Sequence, residues 1–245
     1  MHDMQQALKA MKADGYAMLR QVFDPAMMVR LADDLDAAIR NDQTHQSAVA
    51  RGDVIVAARN VLEVYPAAKS LWRTLTIIEF LSGTLGKDFG LMRGLYFDKP
   101  PGKSWALPWH QDRAIAVKQN RLPSTIFGKP TTKAGVPHVE SPLWLSRQIV
   151  LLRIHLDAMV EDNGPLQVMP GSHLEEGDLT RHAGVTLLAQ PGDVLAMSPL
   201  LYHRSGESAP GCVLHRRILH LEFTGCPTLP DGYQWHSFVP GIEYH

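Results

Sequence analysis

The chain has 245 residues, 45% of them hydrophobic and 20% charged, which supplies a buried core and a hydrated surface and excludes a disordered polymer. Its formal net charge is −1 with Lys and Arg scattered, so no basic footprint for nucleic acid or anionic lipid stands out and a small-molecule partner is expected. One domain over residues 1–245 is expected, because all-β barrels and sandwiches reach this size as single units.

Residues Met1 to Met11 lack an apolar signal core, and no apolar run reaches the ~20 residues that span a bilayer, so a cytoplasmic location is expected. Cys212 and Cys226 are read as reduced thiols, and the oligomeric state is left open.

Met4 to Lys12 and Pro25 to Arg40 place apolar residues three and four apart, and Asp24 with Pro25 supplies an N-cap and first-turn proline; both predict amphipathic helices. Between them Tyr16 to Val22 alternates after the Asp14-Gly15 turn and predicts a short strand. Ala67 to Leu85 predicts a further helix ended near Gly83 or Gly86, which makes 1–90 a mostly helical support.

After Gly90 the texture turns to short β-like runs divided by Gly and Pro: Leu91 to Phe97, Trp109 to Val117, Gln148 to Met159, Leu166 to Met169, Val185 to Gln190, Asp193 to Ser198 and Arg216 to Phe223. This spacing predicts a barrel or sandwich over 91–225. Lys118 to Ser146 carries neither period and is long for an unstructured connection, so it reads as a lid. Residues 226–245 read as an irregular tail.

On a strand, residues i and i+2 face the same side, so a His-x-Asp pair presents two metal ligands together. Three pairs of that kind occur: His110-x-Asp112, His155-x-Asp157 and His220-x-Glu222. Spacing alone leaves the choice among them open. The first follows Pro108 and precedes a polar stretch, as expected near a strand end. The second lies mid-strand, where a hydrogen-bonded core histidine and a turn-starting aspartate are the plainer reading. His220 shares a strand face with Arg216, and a supporting or core role is favoured for it.

His203 is the distal ligand candidate, with Ser205 on the same face. Arg216, on the next strand, either brings its planar fork to a carboxylate at that site or lies at the surface. Two imidazoles and one carboxylate on one face of an octahedral iron(II) leave three adjacent positions open.

In combination and in order, several motifs resemble the phytanoyl-CoA dioxygenase (PhyH-like) family of iron(II)- and 2-oxoglutarate-dependent oxygenases across nearly the whole chain. They are Asp14-Gly15-Tyr16, Tyr96-Phe97-Asp98-Lys99-Pro100-Pro101, Trp109-His110-Gln111-Asp112, Asn163-Gly164-Pro165-Leu166 leading to Pro170-Gly171-Ser172-His173, Gly192-Asp193, His203-x-Ser205 and Arg216.

The resemblance implies a mainly β fold with flanking helices, built on a double-stranded β-helix (jelly-roll, cupin-like) core. It implies Fe(II), 2-oxoglutarate and O2 as cofactor and co-substrates, with His110, Asp112 and His203 on the metal, catalytic through it, and Ser205 and Arg216 on the far carboxylate of 2-oxoglutarate. Arg217 would then point outward. Arg153 stands where some members carry an aromatic residue, and Arg153 and Trp109 are candidate pocket residues. Because related halogenases replace the metal carboxylate with a small residue, Asp112 favours hydroxylation of a C–H bond with release of succinate and CO2. The competing readings are a zinc-dependent cupin-like hydrolase and a metal-free metabolite-binding barrel.

Overall fold

The computed structural model describes residues 2–43, 47–175 and 182–241. Its first part comprises α1 (His2–Asp14), β1 (Tyr16–Leu19), α2 (Pro25–Arg40), β2 (Ala48–Arg51), β3 (Val54–Ala58), α3 (Val61–Val64) and α4 (Leu75–Leu85). There follow β4 (Gly90–Asp98), β5 (Leu107–His110), β6 (Ala114–Ala116), β7 (Gly128–Lys133), β8 (Val136–Glu140), α5 (Leu143–Ser146) and β9 (Ile149–His155). The chain continues through β10 (Leu166–Val168), β11 (Val185–Thr186), β12 (Val194–Met197), β13 (His203–Ser205), β14 (Arg217–Thr224) and β15 (Val239–Pro240).

A large antiparallel sheet runs β1-β12-β9-β14-β4-β3-β2, with β15 added beside β4, and faces a smaller sheet, β11-β10-β13-β5. This is the mainly β, jelly-roll architecture that the resemblance implies. The central strands β9 and β14 are buried on both faces, and the period of two sorts their residues. Val150, Leu152 and Ile154, with Leu219, Leu221 and Phe223, pack against the helices around Trp72 and Phe80. Ile149 and Leu151 turn the other way and join Leu166, Val168, Met197 and Leu201 between the sheets.

Helix α2 matches its expected bounds because its start signals are local: the Asp24 carboxylate accepts from Ala26 N at 2.7 Å, and Pro25 lies at N1. The expected helix over 67–85 is broken. A 3-10 turn over Pro66–Lys69 precedes α4, and Thr74 caps α4 by accepting from Ile77 N at 3.3 Å. Residues 1–90 are less helical than expected, since β2 and β3, besides the expected β1, join the large sheet.

The stretch Lys118 to Ser146 is also more regular than its sequence suggests: β7 and β8 form a hairpin that, with β6, makes a third sheet. Its turn residues Ala134 and Gly135 have φ of 50° and 75°, as the hand of a two-residue hairpin requires. The expected irregular tail contributes β15, which pairs with Gly90 and Leu91. Cys212 and Cys226 are unpaired. Among the described residues no helix is long and apolar enough to cross a membrane.

Candidate metal centre and co-substrate pocket

The single strand expected over Trp109 to Val117 is interrupted at the residues of interest. Strand β5 ends at His110, and Asp112 lies beyond it, held by its own N–H on Pro199 O at 2.9 Å. The neighbouring strand β13 sets His203 directly opposite His110, with ring centroids 4.2 Å apart. His203 Nε2 is 3.3 Å from Asp112 Oδ2, and His110 Nε2 is 3.9 Å from Asp112 Oδ1. One ligand atom from each of the three residues falls within 4.8 Å of the others, the one such group among the described residues.

The ring orientations fit a metal. His110 Nδ1 contacts Pro108 O at 2.7 Å and His203 Nδ1 contacts Leu201 O at 2.9 Å. A carbonyl only accepts, so each Nδ1 carries the proton and each Nε2 keeps its lone pair toward the gap. Burial, with His203 beside it, pushes the His110 imidazole below its usual range, which favours the neutral ligand form. Burial works against the charge of Asp112, yet the hydrogen bond and charge of His203, with His220 and His110, hold its carboxyl below the usual carboxylate range. Two neutral imidazoles and an ionised carboxylate are the donor set of a facial iron(II) site.

These residues line a cavity of about 290 Å³ whose wall is the inner face of the large sheet. Strand β4 presents Arg93, Leu95, Phe97 and then Lys99; β14 and the residue before it present Arg216, Ile218, His220 and Glu222. At the Arg216 end three cations meet. Arg216 is 4% exposed and its Nε has no partner, while Nη1 reaches only Met159 Sδ at 3.7 Å. Burial and neighbouring Arg153 lower its pKa to about 9.

Arg153 is 9% exposed, and burial, opposed by the Asp112 charge, lowers it to about 10. Lys99 donates to Ser205 Oγ at 3.1 Å and to the carbonyls of Trp105 and Gly206; burial, then Arg216 and Arg153, bring it down to about 7. Among the described residues no carboxylate hydrogen-bonds to any of these cations. Buried like charges without a counter-ion are costly, and an anionic ligand reaching them removes that cost.

The other expected residues divide. Arg153 lines the cavity. Trp109 does not line it: its ring lies beneath the Arg204 guanidinium, 4.8 Å from the centroid, and Trp105 lines the wall instead. His155 is in the core but is not hydrogen-bonded, since both ring nitrogens lack partners and burial lowers its pKa to about 3.

Asp157 binds Arg217 through N and Nε, each at 2.8 Å, and Nη2 at 2.9 Å. Arg217 thereby faces away from the cavity, toward Asp36 of α2. His220 lines the pocket, 3.3 Å from Glu222 Oε1. Lys99 lies inside the Tyr96–Pro101 motif, which gives it no role, and Arg59, Arg93 and Lys133 carry no sequence signal, because their meeting depends on the end of β3, on β4 and on β7.

A jelly roll with such a centre at the mouth of its small sheet defines an iron(II)- and 2-oxoglutarate-dependent oxygenase. Within that class, the family model described as phytanoyl-CoA dioxygenase (PhyH) matches residues 11–211, and the chain belongs to that family. The family uses Fe(II), 2-oxoglutarate and O2.

Comparison of the sequence with curated proteins finds no match. Among solved structures, the α-ketoglutarate-dependent epimerase SnoN of nogalamycin biosynthesis is 15% identical, over 90% of this chain and 82% of that one, with a TM-score of 0.66. EctD from S. alaskensis is 17% identical over 89% and 76%, TM-score 0.69. AviO1 from Streptomyces viridochromogenes Tue57 is 21% identical over 94% and 98%, TM-score 0.65. At these identities the likeness establishes the fold. SnoN has been solved with Fe3+, α-ketoglutarate and nogalamycin RO.

Proposed function

We propose that the chain hydroxylates a C–H bond of a small organic substrate, with iron(II) held by His110, Asp112 and His203 and 2-oxoglutarate held at its far carboxylate by Arg216 and Ser205. The observation that carries this reading is the pairing, in one cavity, of a three-donor centre with a buried guanidinium that no carboxylate of the described residues hydrogen-bonds. A zinc hydrolase would need the donors but would leave the cations around Arg216 without a purpose.

The chemistry supplied at such a centre is activation of dioxygen coupled to decarboxylation of 2-oxoglutarate to succinate and CO2. The protein's part is positional. The Nδ1 hydrogen bonds fix both rings, Arg216 aims a carboxylate along the cavity, and Leu95, Phe97 and Ile218 keep water from the space between. Asp112 supplies the carboxylate that related halogenases replace with a small residue, which favours oxygen transfer. In this reading residues 1–245 act as one catalytic domain and 118–146 cover the substrate.

Anaerobic addition of Fe(II) and 2-oxoglutarate to the purified chain should produce a visible charge-transfer band, and Arg216→Met should raise the 2-oxoglutarate concentration needed for it at least tenfold. Aerobic turnover should give succinate and a product heavier by one oxygen atom. Absence of the band would favour the hydrolase, whereas succinate with a product unchanged in oxygen content would move the assignment to ring closure or to epimerisation, the activity named for the neighbour SnoN.

A further inference from the structure

The cavity has a second cationic end. From Arg216 to Glu222, six residues on along the β14 direction, an extended strand rises about 20 Å. Arg93 lies directly opposite Glu222 across the β4–β14 ladder and pairs with it. Around that pair Arg59, which follows β3, and Lys133, at the end of β7, complete the wall. Asn60 Nδ2 donates to Ala134 O at 3.0 Å and so ties the hairpin turn to the end of β3, which is what brings Lys133 toward Arg59.

Three cations therefore face one carboxylate. Among the described residues neither Arg59 nor Lys133 has a side-chain hydrogen bond or ion pair, and Arg93 Nε is buried without a partner. Their mutual repulsion is felt by the group: after burial, Arg59 and Arg93 depress Lys133, and Arg93, Lys133 and Arg59 depress the neighbouring His138 to about 4. With His138 neutral, Arg59, Arg93 and Lys133 have Glu222 as the carboxylate among them, while Asp112, whose charge also reaches Lys133, belongs to the metal centre. A five-carbon diacid anchored at Arg216 is far too short to reach this second end.

Resting on the functional reading above, we infer that the substrate is an organic acid, with a carboxylate or phosphate seated among Arg59, Arg93 and Lys133 and its apolar part lying over Leu95. The guanidinium forks of Arg59 and Arg93 suit either oxyanion. Leu95 sits opposite His220, and both line the same cavity as His110, Asp112 and His203, so an acid held two residues further along, at Arg93 opposite Glu222, lays its carbon skeleton over Leu95 toward the metal centre.

The test is calorimetry on the full chain, anaerobic, with Fe(II) and saturating 2-oxoglutarate so that the Arg216 end is filled. Matched probes are benzoate and benzamide, hexanoate and hexanamide, and phenyl phosphate and phenol. The acid of at least one pair should bind tenfold or more tighter than its neutral partner. That preference should fall about tenfold in Arg59→Met and in Lys133→Met. It should persist in Arg59→Lys, which keeps the charge, and in Lys129→Met, a change at an exposed hairpin lysine paired with Glu140.

Equal binding of acid and neutral members in every pair, or a preference unmoved by both Met variants, would overturn the inference. The charge-transfer band of the wild-type chain is read separately: its absence with a surviving, Arg59-dependent acid preference would overturn the oxygenase reading and leave the anion site standing.

Discussion

At the scale of single residues, the decisive contrast is between two histidines that look alike in sequence. His110 has its Nδ1 on a carbonyl and its Nε2 free toward Asp112, whereas His155 has neither nitrogen engaged and no acidic partner across a cavity. His110→Ala and Asp112→Ala should each abolish stoichiometric iron in the purified protein, as measured by metal analysis. His155→Ala and Asp157→Ala should retain it, and equal loss from both pairs would remove the basis for the assigned centre. Both pairs were legible as His-x-acid spacing. What separates them is the strand opposite each, which spacing does not encode.

At the scale of elements, the turn before β12 shows how a motif residue can serve the frame. Gly192 has φ of 89°, and a Cβ there would stand 2.1 Å from Phe23 O, while Gly192 O accepts from Val22 and Phe23 N–H. The next residue, Asp193, accepts from Gln21 N and Gln190 N at 2.9 Å each and from Arg20 at 2.7 Å. The Gly192-Asp193 motif thus bolts the β1–α2 turn to the large sheet. Gly192→Ala should destabilise the fold by about 2 kcal/mol or more, from backbone strain and displacement of Phe23, seen as a lowered urea midpoint. A midpoint within error of wild type would show that the turn relaxes freely.

Elements whose cues are local were readable: α2 has its cap, proline and apolar stripe in one segment. The β7 strand was not, because Gly128–Lys133 is exposed along nearly its whole length and has no alternating face to detect. The break between Pro66–Lys69 and α4 was hidden by Leu71 and Trp72, whose apolar spacing continues a helical pattern although Trp72 is there to fill the core.

For the molecule as a whole, His155 ties stability to pH. Burial, followed by the charges of Arg153 and Arg216, puts its folded-state pKa at about 3, below the ordinary value of 6.5. The native state therefore binds the proton less well than the unfolded chain. Its contribution is fully present above pH 6.5 and is lost as pH falls from there toward 3. Between pH 7 and pH 5 this one group should remove about 2 kcal/mol. His155→Leu should flatten that part of the pH–stability curve in thermal melts, with little loss at pH 7 because the imidazole makes no hydrogen bond. An unchanged curve would place the acid sensitivity elsewhere.

By itself the sequence determined a run of short strands and turns that predicts a barrel or sandwich, the cap of α2, and a short set of ligand candidates, because periodicity, capping and spacing act within one segment of chain; the jelly roll followed from the order of its motifs through the family resemblance. Only the tertiary structure decided that β13 sets His203 against His110. It alone put Lys99 beside Ser205 and turned Trp109 away from the cavity while admitting Trp105. The same holds for the second cationic end, where Arg59, Arg93 and Lys133 come from segments distant in sequence. Charges repel or bind through space, and which charges share that space is settled by packing across the sheets.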